Sequence, residues 1–127
     1  MFRIDNQSRR SVYEQIGEQV EKYILAGILN SGDKLPSVRK LSTDLHINPN
    51  TVQRAYTELE RSKVLATQPG RGAFVAQGAY EMLQKRTQSD NWEQLKRVVM
   101  ELKLAKVTEK DVLEVVKAVY KGGTKDD

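Results

Sequence analysis

Asn48, Asn50, Thr51 and Gln53 place amide and hydroxyl groups close together, and Arg54 follows directly. Amides and hydroxyls both donate and accept hydrogen bonds, which suits them to base edges and phosphate oxygens. Asn48 is a favourable N-cap, and Pro49 comes next, at a position where its missing N–H costs nothing. These polar groups therefore sit at the start of a helix, an end that itself attracts phosphate. Capping alone also accounts for Asn48, and Gln53 could be solvated surface, so both readings stay open. Arg54 reads as a phosphate or a base contact. Further on, Arg71 lies between Gly70 and Gly72, at a tip that could enter a minor groove or grip a phosphate. Catalytic chemistry finds little to work with. There is no cysteine, one histidine (His46, placed in a bend), no phosphate-binding glycine loop of known type and no paired carboxylates with a plausible pocket. An enzyme is not expected, nor any metal site or cofactor.

The elements that hold these residues can be read from periodicity and caps. Residues 1 to 10 form a polar arm with Phe2 and Ile4 available to pack. Ser11 with Glu14 three residues on has capping-box spacing. Val12, Ile16, Val20 and Ile24 then give one apolar helical stripe, closed by Gly27. Asn30-Ser31-Gly32-Asp33 reads as a turn. Ser37 caps a second helix with Val38, Leu41 and Leu45 inward, and His46-Ile47-Asn48 makes the bend. The third helix turns Val52, Ala55, Tyr56 and Leu59 inward. Val64 to Thr67 and Ala73 to Ala76 read as strands of a hairpin. After Gly78 only helix is expected: a short connecting helix at Tyr80, Met82 and Leu83, and a longer one from Ser89 or Asp90. Thr108 with Asp111 opens a last helix, which Gly122-Gly123 stops, leaving a disordered Thr-Lys-Asp-Asp tail. The expected fold class is mainly α with a small β-hairpin.

Charge is distributed unevenly. The chain of 127 residues carries net +4, and residues 34 to 72 hold seven Lys or Arg against three acidic residues, which accounts for the whole excess. A localised basic segment attracts polyanions in a salt-dependent way. No apolar run approaches the roughly 20 residues that cross a bilayer, and no signal-peptide pattern opens the chain, so a cytoplasmic protein without a membrane partner is expected. The stripes Trp92, Leu95, Val99, Leu102 and Val112, Val116, Val119 exceed what one small helical hairpin buries within itself. They are the candidate homodimer interface.

Two helices, a bend between them and a hairpin with a Gly-Arg-Gly tip form the order that lays one helix in the major groove and a wing beside it. The segments YEQI (Tyr13 to Ile16), AGILNSGDKLPSVRKLS (Ala26 to Ser42), NPNTVQRAYTELE (Asn48 to Glu60) and GRGAFV (Gly70 to Val75) occur in the order and spacing of one family. From about Tyr13 to Val75 the chain resembles the winged-helix domain of the GntR family of bacterial transcription regulators. The resemblance implies DNA contacts at Asn48, Pro49, Asn50, Thr51 and Gln53 by position. It also implies a phosphate contact from the Pro-Ser-x-Arg motif that holds Ser37 and Arg39, with Arg71 and Gly72 at the wing; Lys34 reads separately as a further phosphate contact. One departure is Lys63, where the family commonly has glycine, because lysine tolerates positive φ poorly. Only about 50 residues follow the wing, without histidine, which is similar to the short YtrA-type subgroup.

These readings together give a winged helix-turn-helix domain at 1–77 and a helical dimerisation region at 78–127. The implied protein is a homodimeric repressor of its own operon, one that often encodes an ABC transporter. It would bind an inverted-repeat operator in double-stranded DNA, with any small-molecule effector unidentified. The alternative is a winged helix that binds proteins rather than specific DNA.

Overall fold

The computed structural model describes residues 2–122. Five helices and one two-stranded antiparallel sheet follow in the order α1 (Val12–Leu25), α2 (Val38–Leu45), α3 (Pro49–Arg61), β1 (Leu65–Gln68), β2 (Gly72–Val75), α4 (Ala79–Leu104) and α5 (Glu109–Tyr120). The fold is mainly α, as expected. Expectations for Gly123 and the terminal tail fall outside the described residues.

The helix starts obey local chemistry. Ser11 and Glu14 form a full capping box on α1, and the Ser37 hydroxyl accepts from the Lys40 N–H at 3.0 Å on α2. Thr108 accepts from the Asp111 N–H at 3.2 Å on α5. Each such bond satisfies a donor that the helix itself cannot. The helix ends share a second pattern. The N–H of Ile47 bonds back to the Ser42 carbonyl, that of Val64 to Leu59 and that of Val107 to Leu102. In each case the preceding residue takes a left-handed conformation: His46 at φ 56, Lys63 at φ 68 and Lys106 at φ 69. These are Schellman closures in which a residue with a Cβ stands where glycine is favoured. Lys63 adopts a left-handed backbone that favours glycine despite its side chain.

Two compact units result, one ending at Arg86 and one beginning at Thr87. In the first, Ile16, Val20 and Ile24 of α1 and Leu41 of α2 meet Val52, Ala55, Tyr56 and Leu59 of α3 in a core closed by Val64, Leu65, Val75, Ala79 and Leu83. The division expected after Gln77 therefore lies too early, because Ala79 and Leu83 are buried in the core of the first unit. The expected pair of helices after Gly78 is also corrected to one continuous helix, α4. No glycine or proline interrupts residues 79–104, and Ser89 and Asp90 sit exposed within the helix. Such residues favour caps but cost only tenths of a kcal/mol, about 0.5, inside a helix.

The hairpin pairs Leu65 with Val75 and Gln68 with Gly72, one residue closer to the tip than expected at either strand. Its turn has the Gln68 carbonyl accepting from the Arg71 N–H at 2.9 Å, with Pro69 and then Gly70 at φ 77. That is the type II pattern, which needs positive φ at its third residue. The residues after the expected Asn30–Asp33 turn join the wing. Lys34 forms a bridge with Phe74, and the Leu35 N–H donates to the Ala73 carbonyl at 2.9 Å.

The N-terminal arm is held by two glutamines of α1. The Asp5 N–H donates to Gln15 Oε1 at 2.8 Å, and Gln15 Nε2 donates back to the Asp5 carbonyl at 3.0 Å. One helical turn later Gln19 makes the same reciprocal pair with the backbone of Arg3. The Phe2 ring meets Tyr23 edge-on at 5.6 Å.

The second unit holds the C-terminal part of α4, a turn and α5. No residue from Thr87 to Gly122 is buried. Among the described residues, no helix is long and apolar enough to cross a membrane.

Candidate nucleic-acid interface

The start of α3 is built as expected. Asn48 Oδ1 accepts from the Asn50 N–H at 2.7 Å, so Asn48 does cap the helix. Pro49 is the first helical residue. Asn50, Gln53 and Arg54 are exposed, Thr51 half-buried. Gln53 Nε2 donates to Thr57 Oγ1 at 3.2 Å along the helix surface, a weak restraint between neighbours four residues apart. Tyr56 is core: its hydroxyl donates to the Pro36 carbonyl at 2.7 Å. Burial pushes that phenol up to about 12, since a buried phenolate loses its hydration. The bond ties α3 to the residue before the cap of α2.

Three sequence-distant segments converge beside it. Ser37, Gln53 and Gly72 line one hollow of ≈ 200 Å³ with Pro36, Val38, Tyr56 and Glu60. Gly72 has φ 113, and a Cβ there would stand 3.2 Å from the Lys34 Cε. The end of the lysine stem thus lies beside the tip of the wing. Arg71 is exposed at the wing tip, and Arg39 is exposed on the first turn of α2.

The charge pattern sharpens when partners are assigned. Within the basic segment Lys40 pairs with Asp44 at 3.1 Å and Arg61 with Glu58 at 2.9 Å. Lys34, Arg39, Arg54, Lys63 and Arg71 make no ion pair among the described residues. Arg39, exposed on the first turn of α2, is thus left without a carboxylate partner among the described residues. A cation left in water keeps its charge for an external anion.

One contact was not signalled by any motif. Arg54 stacks on the Tyr13 ring of α1, 3.8 Å from guanidinium carbon to ring centroid, and donates to the Tyr13 hydroxyl at 3.1 Å. The separation of 41 residues hides such a pair from any local pattern.

In the second unit Trp92, Leu95, Val99, Val116 and Val119 are exposed, by 61% at Trp92 and 37% at Val99. Leu102 and Val112 are half-buried. Leu95, Val99, Val107, Val112, Leu113 and Val116 line a groove of ≈ 590 Å³ with Lys103 and Glu109 at its edges. Among the described residues no group of three or more His, Cys, Asp or Glu is placed to hold a metal ion.

Comparison with known proteins gives a consistent answer. Residues 12–75 match the model described as bacterial regulatory proteins, gntR family. The chain is 40% identical to the HTH-type transcriptional repressor YtrA of Bacillus subtilis, covering 100% of both chains. Among solved structures it is similar to a transcriptional regulator from Oenococcus oeni, with TM-score 0.75 and 32% identity over 92% of this chain and 97% of that one. It is also similar to YtrA from Sulfolobus acidocaldarius, a GntR-family transcription factor, with TM-score 0.57 and 33% identity over 82% of this chain and 97% of that one. These relatives are regulators rather than enzymes, and they favour DNA over a protein ligand for the winged helix.

Proposed function

The chain belongs to the GntR family and is a DNA-binding transcription regulator, and from that premise we propose that it is a cytoplasmic homodimeric repressor of its own operon. Each subunit would insert the start of α3, Asn48 to Arg54, in a major groove of an inverted-repeat operator, with Arg71 and Gly72 at the flanking wing. Lys34, Ser37 and Arg39 would hold phosphates. The observation that carries this reading is the full-length similarity to the repressor YtrA. The five unpaired cations support it from the side of charge. An operon encoding an ABC transporter, and a small-molecule effector, belong to the same proposal.

Dimerisation through the second unit is supported by its uncovered apolar stripes. Apolar surface in water is costly, at roughly 25 cal/mol per Å², and a second copy offers the same stripes in return. Footprinting on DNA upstream of the protein's own coding region tests the operator. Two protected half-sites related by a two-fold axis are expected, and a single asymmetric footprint counts against the dimer. Sedimentation of a Leu95→Glu, Val116→Glu variant tests the interface directly. It should run as a monomer while wild type runs as a dimer; an unchanged dimer moves the interface elsewhere.

A further inference from the structure

We propose that Tyr13 is a positioning residue for DNA binding: its ring and hydroxyl aim the Arg54 guanidinium at a backbone phosphate beside the major groove. The inference rests on the DNA-binding assignment and extends the interface to α1.

Arg54 lies one helical turn beyond Asn50, four residues on, so both occupy the same stripe of α3. It is exposed, yet its guanidinium is not free to wander. The Tyr13 ring lies beneath it at 3.8 Å and the Tyr13 hydroxyl accepts from it at 3.1 Å. Tyr13 itself is half-buried and packs against the core, so the platform is rigid.

The surroundings are acidic, and they still leave Arg54 unpaired. Glu14, Glu18, Glu21 and Glu58 border the groove that Tyr13 lines. Each is committed elsewhere. Glu14 accepts from the Ser11 N–H and hydroxyl, Glu18 pairs with Arg10, Glu21 with Arg86 at 2.7 Å and Glu58 with Arg61 at 2.9 Å. The Glu14 carboxyl is held below its ordinary range by the Ser11 N–H first, then by the Ser11 hydroxyl, with Arg10 and Arg54 adding through space. An aromatic face orients a guanidinium without neutralising it. A carboxylate would have oriented it and cancelled its charge. Orientation without cancellation is what an anchor for an external anion needs, and a phosphate accepts the planar fork of arginine well.

The test compares full-length wild type with Arg54→Ala, Arg54→Lys, Tyr13→Phe, Tyr13→Leu and the double variant Tyr13→Leu, Arg54→Ala. Binding is measured to the protein's own upstream duplex and to a scrambled duplex of equal length, over a range of salt. Arg54→Ala should weaken both duplexes by about ten-fold, the scale of one charge-assisted hydrogen bond. It should also reduce the salt slope by about one unit. Arg54→Lys should keep the slope and lose affinity. Tyr13→Phe retains the ring and should retain most of the affinity, whereas Tyr13→Leu should not. Adding Tyr13→Leu to Arg54→Ala should cost nothing more, because the two act as one unit.

Additive losses in the double variant overturn the proposal, since Tyr13 would then act apart from Arg54. So does Arg54→Lys binding like wild type, or an Arg54→Ala variant with an unchanged slope or an altered base preference. Arg54 is exposed, so its two variants test the phosphate contact by themselves, and Tyr13→Met, of similar length, takes the place of Tyr13→Leu in the double-variant comparison if thermal melts show the latter to be poorly folded. Wild type that binds neither duplex would instead remove the DNA-binding assignment, and this proposal with it.

Discussion

Replacing Lys63 by glycine should stabilise the protein. Lys63 sits at φ 68 immediately after α3, where the Val64 N–H closes the helix on the Leu59 carbonyl at 2.8 Å. A residue with a Cβ pays about 1–2 kcal/mol for that left-handed conformation. Glycine avoids the clash and gives back about 0.5–1 kcal/mol in unfolded-chain entropy. The side chain itself contributes no ion pair and is exposed, so nothing else is lost. The net gain is about 0.5–1 kcal/mol, and in a unit of this size it raises Tm by roughly 2–8 °C. Circular dichroism melts at matched protein concentration measure it, since a dimer's Tm depends on concentration. DNA affinity should not change, because Lys63 stands about 20 Å along the helix from Asn50. An unchanged or lowered Tm would show that the left-handed lysine is not strained. A loss of affinity would make Lys63 a phosphate contact.

Other expectations follow the same residues. The folded state holds the Tyr56 proton more tightly than the unfolded chain, with its phenol raised from 10.0 to about 12. The resulting stability is complete below pH 10 and lost as pH rises toward 12; Tyr56→Phe should flatten that part of the alkaline stability profile, and a profile identical to wild type would count against the buried phenol. Gly72→Ala forces a Cβ at φ 113, 3.2 Å from Lys34 Cε, and should weaken DNA binding while lowering Tm, both measurable on one preparation. Asn48→Ala should cost about 1 kcal/mol of stability through the lost cap, whereas Asn50→Ala should stay within about 0.5 kcal/mol and relax base preference in a competition assay. Leu83→Ala should cost about 2–5 kcal/mol in denaturant unfolding, and a negligible cost would return the boundary of the first unit to Gln77.

Much of this was legible in the sequence because helix starts are written locally. Ser11, Ser37 and Asn48-Pro49 announce their helices through bonds to N–H groups two or three residues on, and the apolar stripe of α3 names its buried face. The continuous α4 was not legible for the converse reason. Ser89-Asp90 is a good cap and also a tolerable helix interior, and only the flanking turns decide between them. Lys34 beside Gly72 and Arg54 on Tyr13 were hidden because each joins residues far apart in the chain. Partner assignment for the charges needed coordinates as well: the sequence counts seven cations in the basic segment, and geometry separates the five without an ion pair among the described residues from Lys40 and Arg61.

The clamp on the arm has a consequence for how this chain can change. Gln15 and Gln19 grip the N–H and carbonyl of Asp5 and Arg3, groups that every residue but proline presents alike. Side chains at those two arm positions can therefore be exchanged, proline excepted, without removing these four bonds, although the Asp5 carboxylate also accepts from the Gln7 N–H at 2.9 Å. The glutamines have no such latitude. Glutamate would keep the acceptor and lose the donor, orphaning a carbonyl and setting charge against it. The course of the arm at Arg3 and Asp5 is thus encoded largely in the helix it lies on.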